Sequence, residues 1–169
     1  MKKMIWGVLM AACVMACQDS ETTSNDNDFT GNETVYALTA GSEYNIDGTV
    51  TLKEKKNGST LISVTLSGTE GNLEFPVHIH LGDVATDGAT VYAQLTPVTG
   101  TTGKSETLLT TAADESTVTY KQLIALNACL KVHLSATGEN KNIILAAGNI
   151  GTAATAANGR QEIAPCKSE

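Results

Sequence analysis

The segment Phe75-Pro76-Val77-His78-Ile79-His80-Leu81 alternates apolar and polar side chains, which is the pattern of a β-strand with one face in a core. Successive side chains of a strand point to opposite faces, so the apolar residues are predicted to face the core while His78 and His80 share the other face. The segment Cys129-Leu130-Lys131-Val132-His133-Leu134 has the same alternation. All three histidines of the chain are therefore predicted on polar faces of apolar strands.

Short alternating runs recur from Thr34 onward, with turn residues between them. Asn57-Gly58 between two such runs is the strongest local signal of a β-hairpin, and only Tyr120–Asn127 has a helical pattern. Many short strands with glycine-rich turns predict an all-β fold, an antiparallel β-sandwich or barrel. The strands are predicted over residues 35–39, 46–55, 60–67, 73–81, 90–95, 106–110, 117–120, 128–135 and 142–147.

The three histidines are candidate metal ligands. Imidazole is the commonest metal-binding side chain and suits copper and zinc, so His78, His80 and His133 can supply most of a coordination sphere if their strands are neighbours. Asp83 and Asp87 follow closely enough to add a carboxylate or to orient a histidine, although an Asp in a turn usually hydrogen-bonds its own backbone. The alternative is that the histidines are solvated on outward strand faces.

The first residues of the chain have the pattern of a secretory signal. Lys2 and Lys3 precede an apolar run over residues 4–15 that is too short to span a bilayer. The following Val14-Met15-Ala16-Cys17 resembles the bacterial lipobox, whose cysteine is acylated and becomes the mature N-terminus. Cys13 is a poorer candidate, because apolar residues continue beyond it. Residues 1–17 are thus predicted to be a lipoprotein signal with Cys17 as the lipidated residue.

An acidic, polar segment over residues 18–32 follows Cys17 and holds too few apolar residues to order itself. It is predicted to be a disordered tether, and its first residues resemble the export signals of Bacteroidetes surface lipoproteins. Residues 33–169 then form a single domain. We expect the protein in the cell envelope, at the outer membrane or cell surface, where the lipid anchor is its contact with the membrane.

Charge and cysteine content restrict the possible partners and the compartment. The chain has a formal net charge of −7 and no basic patch, which excludes nucleic acid as an expected partner. Beyond the signal and the lipidated residue, Cys129 and Cys166 remain, and an even pair in an exported domain predicts a disulfide. The alternative is that Cys129, on the strand face of His133, is a thiolate ligand.

The region from Gly48 to Gly151 resembles the CHRD (chordin-type) domain found in exported proteins of the Bacteroidetes. The resemblance lies in the order and spacing of several short motifs across roughly 100 residues. The motifs are Gly48-Thr49-Val50-Thr51, Asn57-Gly58, His78-Ile79-His80, the loop over residues 82–88, Val132-His133 and Gly148-Asn149-Ile150-Gly151.

A His-x-His strand followed far downstream by Val-His also resembles Cu/Zn superoxide dismutase, a Greek-key β-sandwich in which the corresponding positions are copper ligands. The resemblance implies a superoxide-dismutase-like, Greek-key fold and a copper site of His78, His80 and His133. This chain lacks the bridging histidine and the histidine-rich zinc loop, and its acidity opposes attraction of superoxide.

Three functional hypotheses follow. The first is a non-enzymatic, lipid-anchored binding module that holds a copper or zinc ion. The second is a copper-only, dismutase-like redox enzyme. The third is an adhesive or structural surface module without metal, with a protein or glycan partner that the sequence does not identify.

Overall fold

A computed structural model of the protein describes residues 26–156 and 163–165. Within this part of the chain, eight strands close into one antiparallel barrel in the order β1-β2-β3-β6-β5-β4-β7-β8, which confirms the predicted all-β class. Two short helices accompany the barrel. The elements are β1 (Phe29–Ala40), β2 (Asp47–Lys55), β3 (Thr60–Ser67), β4 (Glu74–Leu81), β5 (Val91–Thr99), β6 (Lys104–Leu109), α1 (Tyr120–Ala125), β7 (Asn127–His133), β8 (Ile144–Gly151) and α2 (Thr152–Ala156).

The strand order contains a Greek key. β4, β5 and β6 are consecutive neighbours, and β7 returns along the far side of β4. Asn57-Gly58 connects β2 to β3 as predicted, and Gly58 takes a positive φ of 85° that its missing Cβ permits. The crossover builds the candidate site, because it pairs the two histidine-bearing strands, β4 and β7, although 45 residues separate them along the chain.

The barrel interior holds the apolar residues of the alternating pattern. Val77 and Ile79 on β4 and Leu130 and Val132 on β7 are fully buried. They join a single large apolar cluster that includes residues of all eight strands and of α1. Burial of this cluster is the main stabilising contribution to the fold.

The opposite face of β4 and β7 is covered as well, which corrects the expectation of an outward polar face. His80 is 1% exposed, His133 4% and Lys131 0%. A second apolar cluster of Val84, Cys129, Ile144 and Ala147 lies on this outer side, and Ile163 packs against it. Strand alternation separates the two faces correctly, but it does not reveal that the loops after β4 and β7 and the distant Ile163 cover the second face.

The structure also corrects the predicted start of the domain. A 3-10 turn over Asp26–Asp28 leads into β1 at Phe29, so residues previously assigned to the tether belong to the barrel. The hydroxyl of Thr30 and the side-chain amide of Asn32 donate to Glu54 Oε2 over 2.9 and 2.7 Å. Polar hydrogen bonds order this segment, which apolar content alone did not reveal. The signal, the lipobox and Cys17 lie outside the described residues.

One predicted strand is absent. Residues 117–120 do not form a strand, because Thr117 makes only an isolated bridge to Thr111. Thr119 instead caps α1, where its hydroxyl accepts from the Gln122 amide and the Gln122 side chain accepts from the Thr119 amide. This reciprocal capping box stabilises the start of the helix.

None of the helices in the described residues has the length and apolar character needed to cross a membrane.

Candidate metal centre

Strand pairing brings the three histidines together on the outer face of the barrel. On β4, His78 lies opposite Lys131 of β7 and His80 lies opposite Cys129. His133 follows two residues after Lys131 on the same face. The ring centroids are 5.8 Å apart for His78 and His80, 5.0 Å for His78 and His133, and 6.0 Å for His80 and His133.

The spacing of the imidazole nitrogens suits a small transition-metal ion after a modest adjustment. One nitrogen from each ring lies within 4.8 Å of the other two. Three nitrogens bound to one ion at about 2.0–2.1 Å lie about 3.3–3.6 Å from one another in a tetrahedral or trigonal arrangement. The widest pair of nitrogens therefore needs to close by about 1.2–1.5 Å, which rotation of the imidazole side chains can supply.

Backbone carbonyls set the tautomer of two of the rings. His80 Nδ1 lies 3.0 Å from the carbonyl oxygen of Ala89, and His133 Nδ1 lies 2.9 Å from that of Lys141. A carbonyl only accepts, so each Nδ1 carries the proton and donates it. In the neutral ring, Nε2 then bears the lone pair with which imidazole binds a metal. Metal-binding histidines commonly have such a second partner, which fixes ring orientation.

His133 is neutral at physiological pH. Burial lowers its pKa to about 4 from an ordinary 6.5, and the smaller electrostatic effects of the neighbouring His78 and Lys131 act in the same direction. The hydrogen bond to the Lys141 carbonyl acts in the opposite direction, because it favours the protonated ring. A neutral imidazole is the metal-binding form, so protons compete with a metal for His133 only in acid.

The acidic residues near the histidines have a local structural role. Asp83 Oδ1 accepts from the Ala85 amide over 3.1 Å and from the Thr86 hydroxyl over 2.9 Å, as in an Asx turn. Asp87 is exposed in the same loop. Within residues 26–156 and 163–165, the group that can hold a metal consists of the three histidines, and neither a carboxylate nor the Cys129 thiol joins it.

Cys129 is fully buried beside this group, across the strand pair from His80. Its predicted disulfide partner, Cys166, lies outside the described residues, so the disulfide stays a prediction. The preceding residues, Ile163–Pro165, are described, and Ile163 contacts the cluster that contains Cys129. This contact places Ile163 on the side of the barrel where Cys129 lies.

The sequence indicated the three candidate ligands but not the groups that orient them. The carbonyls of Ala89 and Lys141 are backbone groups, so the residue types at these positions do not reveal them. Three imidazoles are borderline ligands that suit copper or zinc, and they leave coordination positions for another group. Comparisons of the chain with protein-family models, with curated proteins and with solved structures found no match.

Proposed function

We propose that this protein is an exported, lipid-anchored metal-binding barrel of the chordin-type class, which holds one copper or zinc ion with His78, His80 and His133. The observation that carries the metal assignment is the convergence of all three imidazoles of the chain, within 4.8 Å, on one covered face. The burial of His80 and His133 supports a metal role, because a solvated surface histidine needs neither a covering loop nor an orienting carbonyl.

The metal would act as a Lewis acid or redox centre held at the barrel wall. The residues of the chain supply the ligand lone pairs, fix the ring orientations through Ala89 and Lys141, and limit water access through burial of His80 and His133. His78 is only partly buried, so it marks the side from which an ion can enter.

Metal binding is tested on the purified chain after chelation and dialysis. Copper and zinc are offered separately, and bound metal is counted against protein for the parent, His133→Ala and the double variant His78→Ala/His80→Ala. Gln94→Ala is the matched control, because this exposed residue pairs with His78 across β4 and β5 but is not a ligand. We expect about one equivalent in the parent and control, and weak or no binding in the histidine variants.

No stoichiometric uptake by the folded parent would contradict the metal assignment. Equal uptake by the parent and the double variant would contradict the ligand set. Either result would favour an adhesive or structural module, and the search would then turn to protein or glycan partners.

A copper-only, dismutase-like activity is a second candidate. It is favoured by the three-ligand set, because a catalytic site keeps a coordination position open for a reactant. The test compares superoxide turnover by the copper-loaded chain with that of the same concentration of free copper. Turnover no faster than that of free copper would remove this candidate and leave the binding role intact.

Export and lipid anchoring rest on the sequence of residues 1–17. Expression in a bacterial host with an acyl-chain label tests them directly. We expect label in the parent and in Cys13→Ser, and none in Cys17→Ser. Loss of the label only in Cys13→Ser would assign lipidation to Cys13, and an unlabelled parent would contradict the anchor.

A further inference from the structure

The segment Ile163–Pro165 lies on the outer face of the barrel, next to the histidine strands. Its central residue, Ala164, makes two hydrogen bonds to different elements. The Ala164 amide donates to the Val84 carbonyl over 2.8 Å, and the Ala164 carbonyl accepts from Lys131 Nζ over 2.6 Å. Ile163 adds an apolar contact to the cluster around Cys129. This segment, here called the tail, therefore connects the loop after β4 to strand β7.

Both backbone polar groups of Val84 are hydrogen-bonded. Its amide donates to Asn149 Oδ1 on β8 over 2.7 Å, and its carbonyl accepts from Ala164. Val84 belongs to the loop over residues 82–90, which joins β4 to β5. The same loop carries Ala89, whose carbonyl orients His80. Fixing Val84 thus restricts the loop that sets the direction of a candidate ligand.

Lys131 gives the tail its second anchor. The side chain is fully buried, and it lies directly opposite His78 in the β4–β7 register. A buried ammonium group needs hydrogen-bond acceptors to offset its lost hydration, and the Ala164 carbonyl supplies one. Release of the tail would expose this ammonium beside the histidines and remove that acceptor.

We propose that Ile163–Pro165 is a latch that positions the metal centre, with Ala164 as the positioning residue that holds the 82–90 loop and, through Ala89, His80. The latch rests on the proposed metal-binding function. It acts on how long the metal is retained, because a loop that opens less often keeps the His80 ring in its binding orientation for more of the time.

Two variants of the full chain test the latch. Ala164→Pro removes the amide that donates to Val84 and keeps the carbonyl and the net charge. Ile163→Ser removes the apolar contact by a different route. Pro165→Ala is the matched control, since it changes the adjacent exposed residue and leaves both Ala164 hydrogen bonds in place. Zinc release to a chelator is timed in each, and amide exchange is followed over residues 82–90 and over the β2–β3 hairpin.

Both latch variants should release zinc about tenfold faster than the parent, in the range found when partners of metal ligands are lost. Exchange over residues 82–90 should rise, while exchange in the distant β2–β3 hairpin and the behaviour of the Pro165→Ala control should match the parent. Equal zinc release in parent and variants, or an equal rise of exchange in the hairpin, would overturn the latch alone. If the parent binds copper but not zinc, copper release is timed in the same way. A folded parent that binds neither zinc nor copper would overturn the proposed function and the latch together.

Discussion

The Nδ1 atom of His80 lies 3.0 Å from the carbonyl oxygen of Ala89, nine residues further along the chain. The equivalent atom of His133 lies 2.9 Å from the carbonyl oxygen of Lys141, eight residues further along. In both cases the loop that follows a histidine strand folds back over it. The loop then offers a backbone acceptor to the ring that the strand presents. Two unrelated loops thus orient two rings of one candidate site.

This arrangement predicts the tautomers of the metal-free protein. His80 and His133 should carry their proton on Nδ1, because a carbonyl oxygen cannot donate to the ring. Long-range proton–nitrogen correlation spectra of the labelled chain at neutral pH distinguish the two ring nitrogens directly. A proton on Nε2 of either ring would contradict the hydrogen bond and the proposed direction of its lone pair.

Acid should destabilise the metal-free protein through His133. Its pKa is about 4 in the folded chain and 6.5 ordinarily, so the unfolded state binds more protons between these values and stability falls as pH falls through this range. The full difference corresponds to about 3 kcal/mol, complete near pH 4 and absent above pH 6.5. Denaturant unfolding at several pH values measures the loss.

His133→Gln is the control for that acid effect, because glutamine keeps a polar side chain but does not titrate. Its unfolding free energy should change less between pH 6.5 and 4 than that of the parent. An equal slope in parent and variant would show that other groups cause the acid sensitivity.

Gly148→Ala should weaken the closure of the barrel. A Cβ at this position on β8 would lie 2.1 Å from the Ala37 carbonyl oxygen on β1, far inside van der Waals contact with a backbone atom. Strands β1 and β8 form the seam that closes the sheet, so their separation must increase. We expect a loss of about 1–3 kcal/mol in the free energy of unfolding. An unchanged unfolding midpoint would contradict this close approach.

The predicted Cys129–Cys166 disulfide has a simple chemical test. Protein prepared from an oxidising compartment should show neither thiol by labelling under denaturing conditions, and both after reduction. Cys166→Ser should lower the unfolding free energy by about 3–4 kcal/mol, because the crosslink restricts the unfolded chain. Two reactive thiols in the unreduced parent would contradict the disulfide.

The fold class and the strand faces were predictable because they depend on local alternation. His78, Ile79 and His80 have to point to alternate sides of any strand that contains them, whatever surrounds it. The hairpin at Asn57-Gly58 was predictable for a similar reason, since the turn needs a residue that tolerates positive φ. The strand predicted over residues 117–120 was wrong, because its β-branched residues suit a strand while Thr119 and Gln122 form a helix cap.

Local alternation in the sequence establishes which side chains share a face, and hence that His78 and His80 form a pair and that His133 has a comparable position on its own strand. That these strands are neighbours depends on tertiary structure, because the Greek-key crossover joins segments that 45 residues separate along the chain. Tertiary structure also decided that the shared face is buried and that Ala89, Lys141 and Ala164 supply its backbone acceptors. Alternation is a property of neighbouring residues, whereas pairing, covering and backbone hydrogen bonding depend on how distant segments pack.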